Sequence, residues 1–213
     1  MLSKRKIKEV LNILRDTYPE ATIALNYSTP FELLVATILS AQCTDKRVNI
    51  ITEKLYKNYN RPEDFVSLDV KFLEEMIKSC GFYRNKSKNI IETSRILLEK
   101  YGGKVPSTRE KLMQLPGVGR KTANVVLSNV FGKEAIAVDT HVFRVSNRIG
   151  MAKSKRVEET EEQLMENIPK NEWSKAHHLL IHHGRNICKA RRPLCEECPI
   201  NYLCKSYVKL GKK

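Results

Sequence analysis

Apolar residues recur at helical spacing along almost the whole chain. Ile7, Val10, Leu11 and Leu14 stand at i, i+3, i+4 and i+7, and Pro19 ends that stretch. Thr29-Pro30-Phe31-Glu32 combines a capping box with proline at the first helical position, and the residues that follow to Ser40 are nearly all apolar. That segment is expected to be buried on every side. Helices are further predicted over 46–59, over 69–79 with Gly81 beyond, and over 85–101. In the last of these Ile90, Ile91, Ser94, Leu97, Leu98 and Tyr101 share a face before Gly102-Gly103. Ser107 and Glu110 form a second capping box ahead of a short helix reaching Leu112 and Met113. A helical run to Phe131 follows the turn at Pro116, and Asp139 is placed to cap a helix over 140–149. Two more helices are expected over 155–167 and 172–183. No alternating stretch long enough for a strand interrupts the pattern, so the fold class is all-α, without internal repeats or a low-complexity linker.

Toward the C-terminal end a different signal takes over. Cys188, Cys195, Cys198 and Cys204 have the spacing C-x6-C-x2-C-x5-C, and thiolates this near in sequence can meet at one centre with little loop-closure cost. A single zinc ion usually draws on two close-spaced pairs. Here only Cys195 and Cys198 form one, which favours an all-thiolate iron-sulfur cluster, with zinc the main alternative and disulfides a third. Cys43 and Cys80 fall within apolar helical patterns and read as buried free thiols of a reducing compartment. The 213 residues suffice for one large or two small domains. The sequence contains neither a basic-then-apolar leader nor a run of about 18 apolar residues, so an intracellular protein is expected.

Charge adds a partner. Thirty-eight Lys plus Arg against twenty-four Asp plus Glu leave +14, which implies a polyanion. The excess is uneven: Arg185 to Lys213 holds eight basic and two acidic residues, and Arg84, Lys86 and Lys88 lie together with no acid among them. Such clusters suit phosphates. The turn Leu115-Pro116-Gly117-Val118-Gly119-Arg120-Lys121 points the same way. Two glycines one residue apart let the backbone turn sharply and approach a ligand without Cβ interference, and the helix that follows offers free N–H groups to an anion such as a DNA phosphate.

Three motifs together carry a family resemblance: Leu115-Pro-Gly-Val-Gly-Arg-Lys-Thr-Ala-Asn124, Ala137-Val-Asp-Thr-His-Val-Phe-Arg144, and the four-cysteine loop. Over essentially its whole length the chain resembles the endonuclease III family, helix-hairpin-helix DNA glycosylases and abasic-site lyases of base-excision repair. The resemblance implies two helical domains with DNA bound across the cleft between them. One, roughly Ala21 to Lys133, would be a six-helix barrel containing the hairpin. The other would join residues 1–20 to 134–213 and hold a 4Fe-4S cluster through the four cysteines. It further implies a monomer acting on double-stranded DNA that contains damaged bases or abasic sites, intracellular and nucleoid-associated through that DNA. Oxidised pyrimidines are the expected lesions.

The same resemblance implies roles for individual residues. Lys121 matches the nucleophile: its amine would attack the sugar C1′, expel the base and leave a Schiff base that permits strand cleavage by β-elimination. The attacking amine must be neutral, and a helix N-terminus together with partial burial would disfavour the ammonium form. Asp139 would relay a proton and stabilise positive charge developing on the sugar. Because base excision requires the nucleotide to leave the stack, Gln42 and Phe82 are candidates to fill the gap, with leucine rather than phenylalanine expected at the second position. Leu115, Gly117, Val118, Gly119 and Arg120 of the hairpin, and Lys189 and Arg191 of the cysteine loop, are the remaining candidate DNA contacts. His141 matches a histidine near the pocket or serves structure alone. His177, His178, His182 and His183 lie on a helical pattern and are assigned no metal. Two other functions compete, a monofunctional mismatch glycosylase of the same fold and a non-catalytic hairpin module. Lys121 opposes the first, and Lys121 with Asp139 the second.

Overall fold

The computed structural model describes residues 1–209, which hold twelve α-helices, short 3-10 turns and no strand. Two compact units divide the chain, Ala24–Lys133 and Met1–Ile23 together with the chain from Glu134 onward.

In the continuous unit, the helix Pro30–Ser40 (α2) is buried at every position from Phe31 to Leu39. Thr29 caps it by accepting from the Glu32 amide at 3.1 Å, and the Glu32 carboxylate accepts from Ser28 N–H at 2.5 Å. Two otherwise orphaned donors are thereby satisfied beside a fully apolar segment. Around α2 pack Asp45–Leu55 (α3), Tyr83–Tyr101 (α6) and Arg120–Val130 (α8). Pro62–Val66 (α4) and Val70–Ile77 (α5) pack on α6, and Arg109–Leu112 (α7) packs on α8 to complete the hairpin. Six of these segments are the ones the sequence pattern predicts. The addition, α4, is little more than one turn, too short for a periodic pattern to announce it.

In the discontinuous unit, Lys4–Thr17 (α1) buries Ile7, Val10, Leu11 and Leu14 against residues that lie more than a hundred positions later. These come from Thr140–Ile149 (α9), Val157–Asn167 (α10) and Trp173–Asn186 (α11). Val142, Val145, Leu164, Leu179 and Leu180 belong to this core, as do Ile200 and Leu203 of the cysteine loop. Burying a side chain of this kind contributes about 1.5–3 kcal/mol, so the loop is anchored to the same apolar centre as α1. Lys205–Lys209 (α12) follows that loop.

Several local expectations shift by a residue or two. Thr108, not Ser107, caps α7 by accepting from Lys111 N–H. The helix predicted over 155–167 begins at Val157, and that over 172–183 continues to Asn186. Cys43 lies in the turn after α2 and is half-buried, while buried Cys80 follows α5, so neither thiol is inside a helix.

Candidate nucleic-acid interface and metal centre

The hairpin turn owes its shape to Gly117, whose φ of +77° lies in the left-handed region. A Cβ there would also come within 2.9 Å of the Asn89 amide nitrogen. Thr93 Oγ1 donates to the Pro116 carbonyl at 3.0 Å and ties the turn to α6. Leu115 and Val118 are buried at 2% and 6% exposure. Their side chains therefore anchor the turn from within, leaving the backbone of the turn as what they could offer to DNA. Gly119 is the N-cap of the eleven-residue helix α8, and no side chain caps that end, where the helix dipole favours an anion. Space for a Cβ at Gly119 is open. Arg120 is half-buried and Lys121 is exposed, in the first turn of α8. The partial burial expected of Lys121 is absent.

Gln42 and Phe82 sit on the turns after α2 and α5, and both adopt left-handed backbone, with φ of 53° and 58°. Non-glycine residues there are uncommon, and such strain concentrates where a side chain must be presented in one direction. Phe82 is 62% exposed, so it does not pack the preceding helix. Gln42, Phe82 and Gly117, drawn from three separate turns, line one cavity of about 250 Å³ together with Ile38, Lys86 and Asn89. Lys86 is not the surface cation expected from its cluster. It is 4% exposed, and its ammonium donates to the carbonyls of Leu39 and Ala41 at 2.8 and 2.7 Å. It thus closes the C-terminal end of α2 immediately before Gln42. Burial pushes its pKa below the usual lysine value, opposed by the neighbouring thiols of Cys80 and Cys43.

In the discontinuous unit, Asp139 is half-buried and caps α9, one carboxylate oxygen accepting from Val142 N–H at 2.7 Å. His141 follows in the first turn with its Nδ1 3.2 Å from the Arg144 guanidinium. Burial lowers the His141 pKa more than Asp139 raises it, which favours the neutral ring. Arg144 also donates to the carbonyls of Gly184 and Cys188. One turn later Arg148 donates to those of Lys189 and Ala190 at 2.7 and 3.0 Å. Sequence reasoning missed both arginines as supports of the loop. Their i, i+4 spacing was visible, but their acceptors lie some forty residues away. Lys189 and Arg191, on the loop so held, are exposed.

The four cysteines of that loop do come together. Their thiols line a cavity of about 210 Å³ walled by Ile149, Ile187 and Ile200. Among the described residues, however, no three His, Cys, Asp or Glu side chains meet closely enough to hold one metal ion. Four thiols around one space of this size would suit a group of several irons and sulfides. Burial pushes Cys198 up to about 11 and raises Cys204, so as free thiols they would stay protonated. A cationic centre held by them would supply the missing counter-charge. Arg148 Nη1 lies 3.7 Å from the Cys188 sulfur, and His183 Nε2 lies 3.6 Å from that of Cys198. The other ring nitrogen of His183 is 3.2 Å from the Tyr18 hydroxyl.

The family described as HhH-GPD superfamily base excision DNA repair protein matches residues 35–170, and the iron-sulfur binding domain of endonuclease III matches residues 188–204. Endonuclease III of Bacillus subtilis is 51% identical over 100% of this chain and 98% of its own length. A non-covalent endonuclease III–DNA complex superposes with a TM-score of 0.95 at 48% identity, covering all of both chains. A trapped endonuclease III–DNA covalent intermediate does so with a TM-score of 0.94 at 48% identity, over 99% of this chain and all of that one. Among the described residues no helix is long and apolar enough to cross a membrane.

Proposed function

The chain belongs to the endonuclease III family of base-excision DNA repair proteins, and from that premise we propose that Lys121 is its nucleophile and Asp139 its catalytic carboxylate. The protein is a bifunctional DNA glycosylase and abasic-site lyase acting on damaged double-stranded DNA. Oxidised pyrimidines are its substrate class, met inside the cell on chromosomal DNA. The observation that carries the assignment is the exposed Lys121 amine on the first turn of α8, which no side chain caps, directly after a glycine turn.

The neutral Lys121 amine attacks the sugar C1′ as the glycosidic bond to the damaged base breaks. Loss of a proton from nitrogen and opening of the sugar ring leave an imine. The imine acidifies the adjacent C2′ proton, and its removal expels the 3′ phosphate by β-elimination. Asp139 moves the protons of these steps and stabilises positive charge on the sugar. The N-terminal end of α8 holds a phosphate beside the reacting nucleotide. Gln42 and Phe82 occupy the space the extruded nucleotide leaves, an interaction that needs exposed, firmly directed side chains. The relative captured as a covalent DNA intermediate supports this chemistry for a chain 48% identical.

The cofactor is a 4Fe-4S cluster, with Cys188, Cys195, Cys198 and Cys204 as its ligands. When bound it supplies iron–thiolate bonds that fix the loop carrying Lys189 and Arg191, whose charges meet the DNA backbone. Lys121→Gln should abolish base release while DNA binding is retained, because losing one charge removes about one phosphate-equivalent of salt dependence. Asp139→Asn should keep the α9 cap yet slow excision by about two orders of magnitude. Base release that survives Lys121→Gln would make the protein a monofunctional glycosylase that activates water.

A further inference from the structure

The Cys43 and Cys80 sulfurs lie 3.7 Å apart although the residues are 37 positions apart in sequence. Turn hydrogen bonds hold both backbones, from Cys43 N–H to Ser40 and from Cys80 N–H to Ile77. The pair also sits where two strained turns meet. Gln42 precedes Cys43 and Phe82 follows Cys80 by two residues, both with positive φ. A Cβ at Gly81 would lie 3.8 Å from the Gln42 carbonyl oxygen, so the turns are in near contact. Cys43 is partly accessible and Cys80 is not. The cations of Lys86 and Arg47 lie close enough to Cys80 to favour its thiolate, against the dominant effect of burial.

We propose that Cys43 and Cys80 are a redox modification site, oxidised by a small-molecule disulfide such as oxidised glutathione to an intramolecular disulfide that ties the turn of Gln42 to the turn of Phe82. The accessible Cys43 sulfur gives up its proton and attacks one sulfur of the reagent, whose other sulfur leaves with that proton as one thiol, and a mixed disulfide remains. Cys80 then attacks the Cys43 sulfur, and its proton passes to the departing sulfur, releasing the second thiol. Two protein thiols are oxidised by two electrons, and one reagent disulfide is reduced to two thiols. Burial keeps Cys80 protonated, so Cys43 is the residue that meets the reagent first. Bond formation draws the sulfurs to about 2.05 Å, closing the turns by up to about 1.7 Å. The consequence for activity rests on the roles proposed above for Gln42 and Phe82. A displacement of about 1 Å at a positioning residue costs on the order of a hundredfold in rate, so the disulfide should slow excision from paired duplex at least about tenfold, reversibly.

The holoenzyme is incubated with excess oxidised glutathione, alkylated and digested, with the visible absorption of the cluster followed throughout. The expected result is a cross-linked peptide pair containing Cys43 and Cys80, formed without loss of the cluster and reversed by dithiothreitol. Cys80→Ser should instead hold a glutathione adduct on Cys43, and Cys43→Ser should form no disulfide. Wild-type protein that stays reduced, or stops at the mixed disulfide, overturns the site. Excision from paired duplex and cleavage at a pre-formed abasic site are then measured on the same samples. Slowing confined to excision, absent in treated Cys43→Ser, is expected. A disulfide that leaves both rates unchanged overturns the coupling to Gln42 and Phe82. If the reduced protein excises no damaged base, the failure lies in the proposed function, and the mass readout still decides the site.

Discussion

Lys86 offers the sharpest test of how the α2 turn is built. Its ammonium donates to Leu39 and Ala41 at 2.8 and 2.7 Å from a position only 4% exposed. Hydrogen bonds to charged groups contribute about 1.5–3 kcal/mol each, and a buried carbonyl left bare costs about 1–3 kcal/mol. The cation also stands at the negative end of the α2 dipole, a further contribution of about 0.3–1 kcal/mol. Lys86→Met fills the same space and removes the cost of burying the charge, which offsets part of the loss. A net destabilisation of about 2–4 kcal/mol follows, equal to a fall in Tm of about 5–15 °C for a chain of this length. Urea unfolding of the holoenzyme measures it, with amide exchange at 41–43 reporting the turn. The alternative is that Lys86 is a phosphate contact like its neighbours in sequence. Stability within about 0.5 kcal/mol of wild type, with the salt dependence of DNA affinity flattened by about one phosphate-equivalent, would refute the reasoning.

Two further outcomes follow from the geometry. Gly117→Ala should destabilise by about 2 kcal/mol, since φ is +77° and the new methyl meets Asn89. Gly119→Ala, with open space at Cβ, should leave melting unchanged and weaken DNA binding, and equal melting losses in the two variants would contradict the hairpin assignment. Burial, then the charges of His177, His182 and Lys175, hold His178 down to about 3 from 6.5, so the fold favours the neutral ring. The unfolded chain takes up this proton first as pH falls, so the stability His178 contributes is intact above its unfolded value and is lost as pH drops toward its folded one. Unfolding free energy should decline by up to about 1.4 kcal/mol per pH unit through that window, and His178→Gln should flatten the decline; an unchanged slope would place the acid sensitivity elsewhere.

What could be read before the structure depended on whether a signal was local. The capping box and continuous apolar run made α2 legible, as the four-residue spacings did for α1. Asp139 could be read as a cap from its place before an amphipathic segment, and the four cysteines from their spacing. Lys86 departs from the surface position its charged neighbours suggest because a count of charges carries no direction. It stands two positions from Arg84 and from Lys88, about 200° around the helix from each, and so joins the buried face with Ile90 and Leu97. Leu115 and Val118 lie in a DNA-binding motif, yet their side chains serve the core. The support that Arg144 and Arg148 give the cysteine loop and the Cys43–Cys80 contact arise from tertiary packing between distant segments, which no local pattern encodes.

The central claim is that the Lys121 amine bonds covalently to the damaged nucleotide. Holoenzyme is mixed with a duplex bearing one oxidised pyrimidine, sodium borohydride is added during turnover, and the product is digested and mapped by mass spectrometry. The account predicts DNA permanently attached through a secondary amine on the peptide containing Lys121, and none with Lys121→Gln. Attachment at another residue, or base release without any trapped complex, would contradict it.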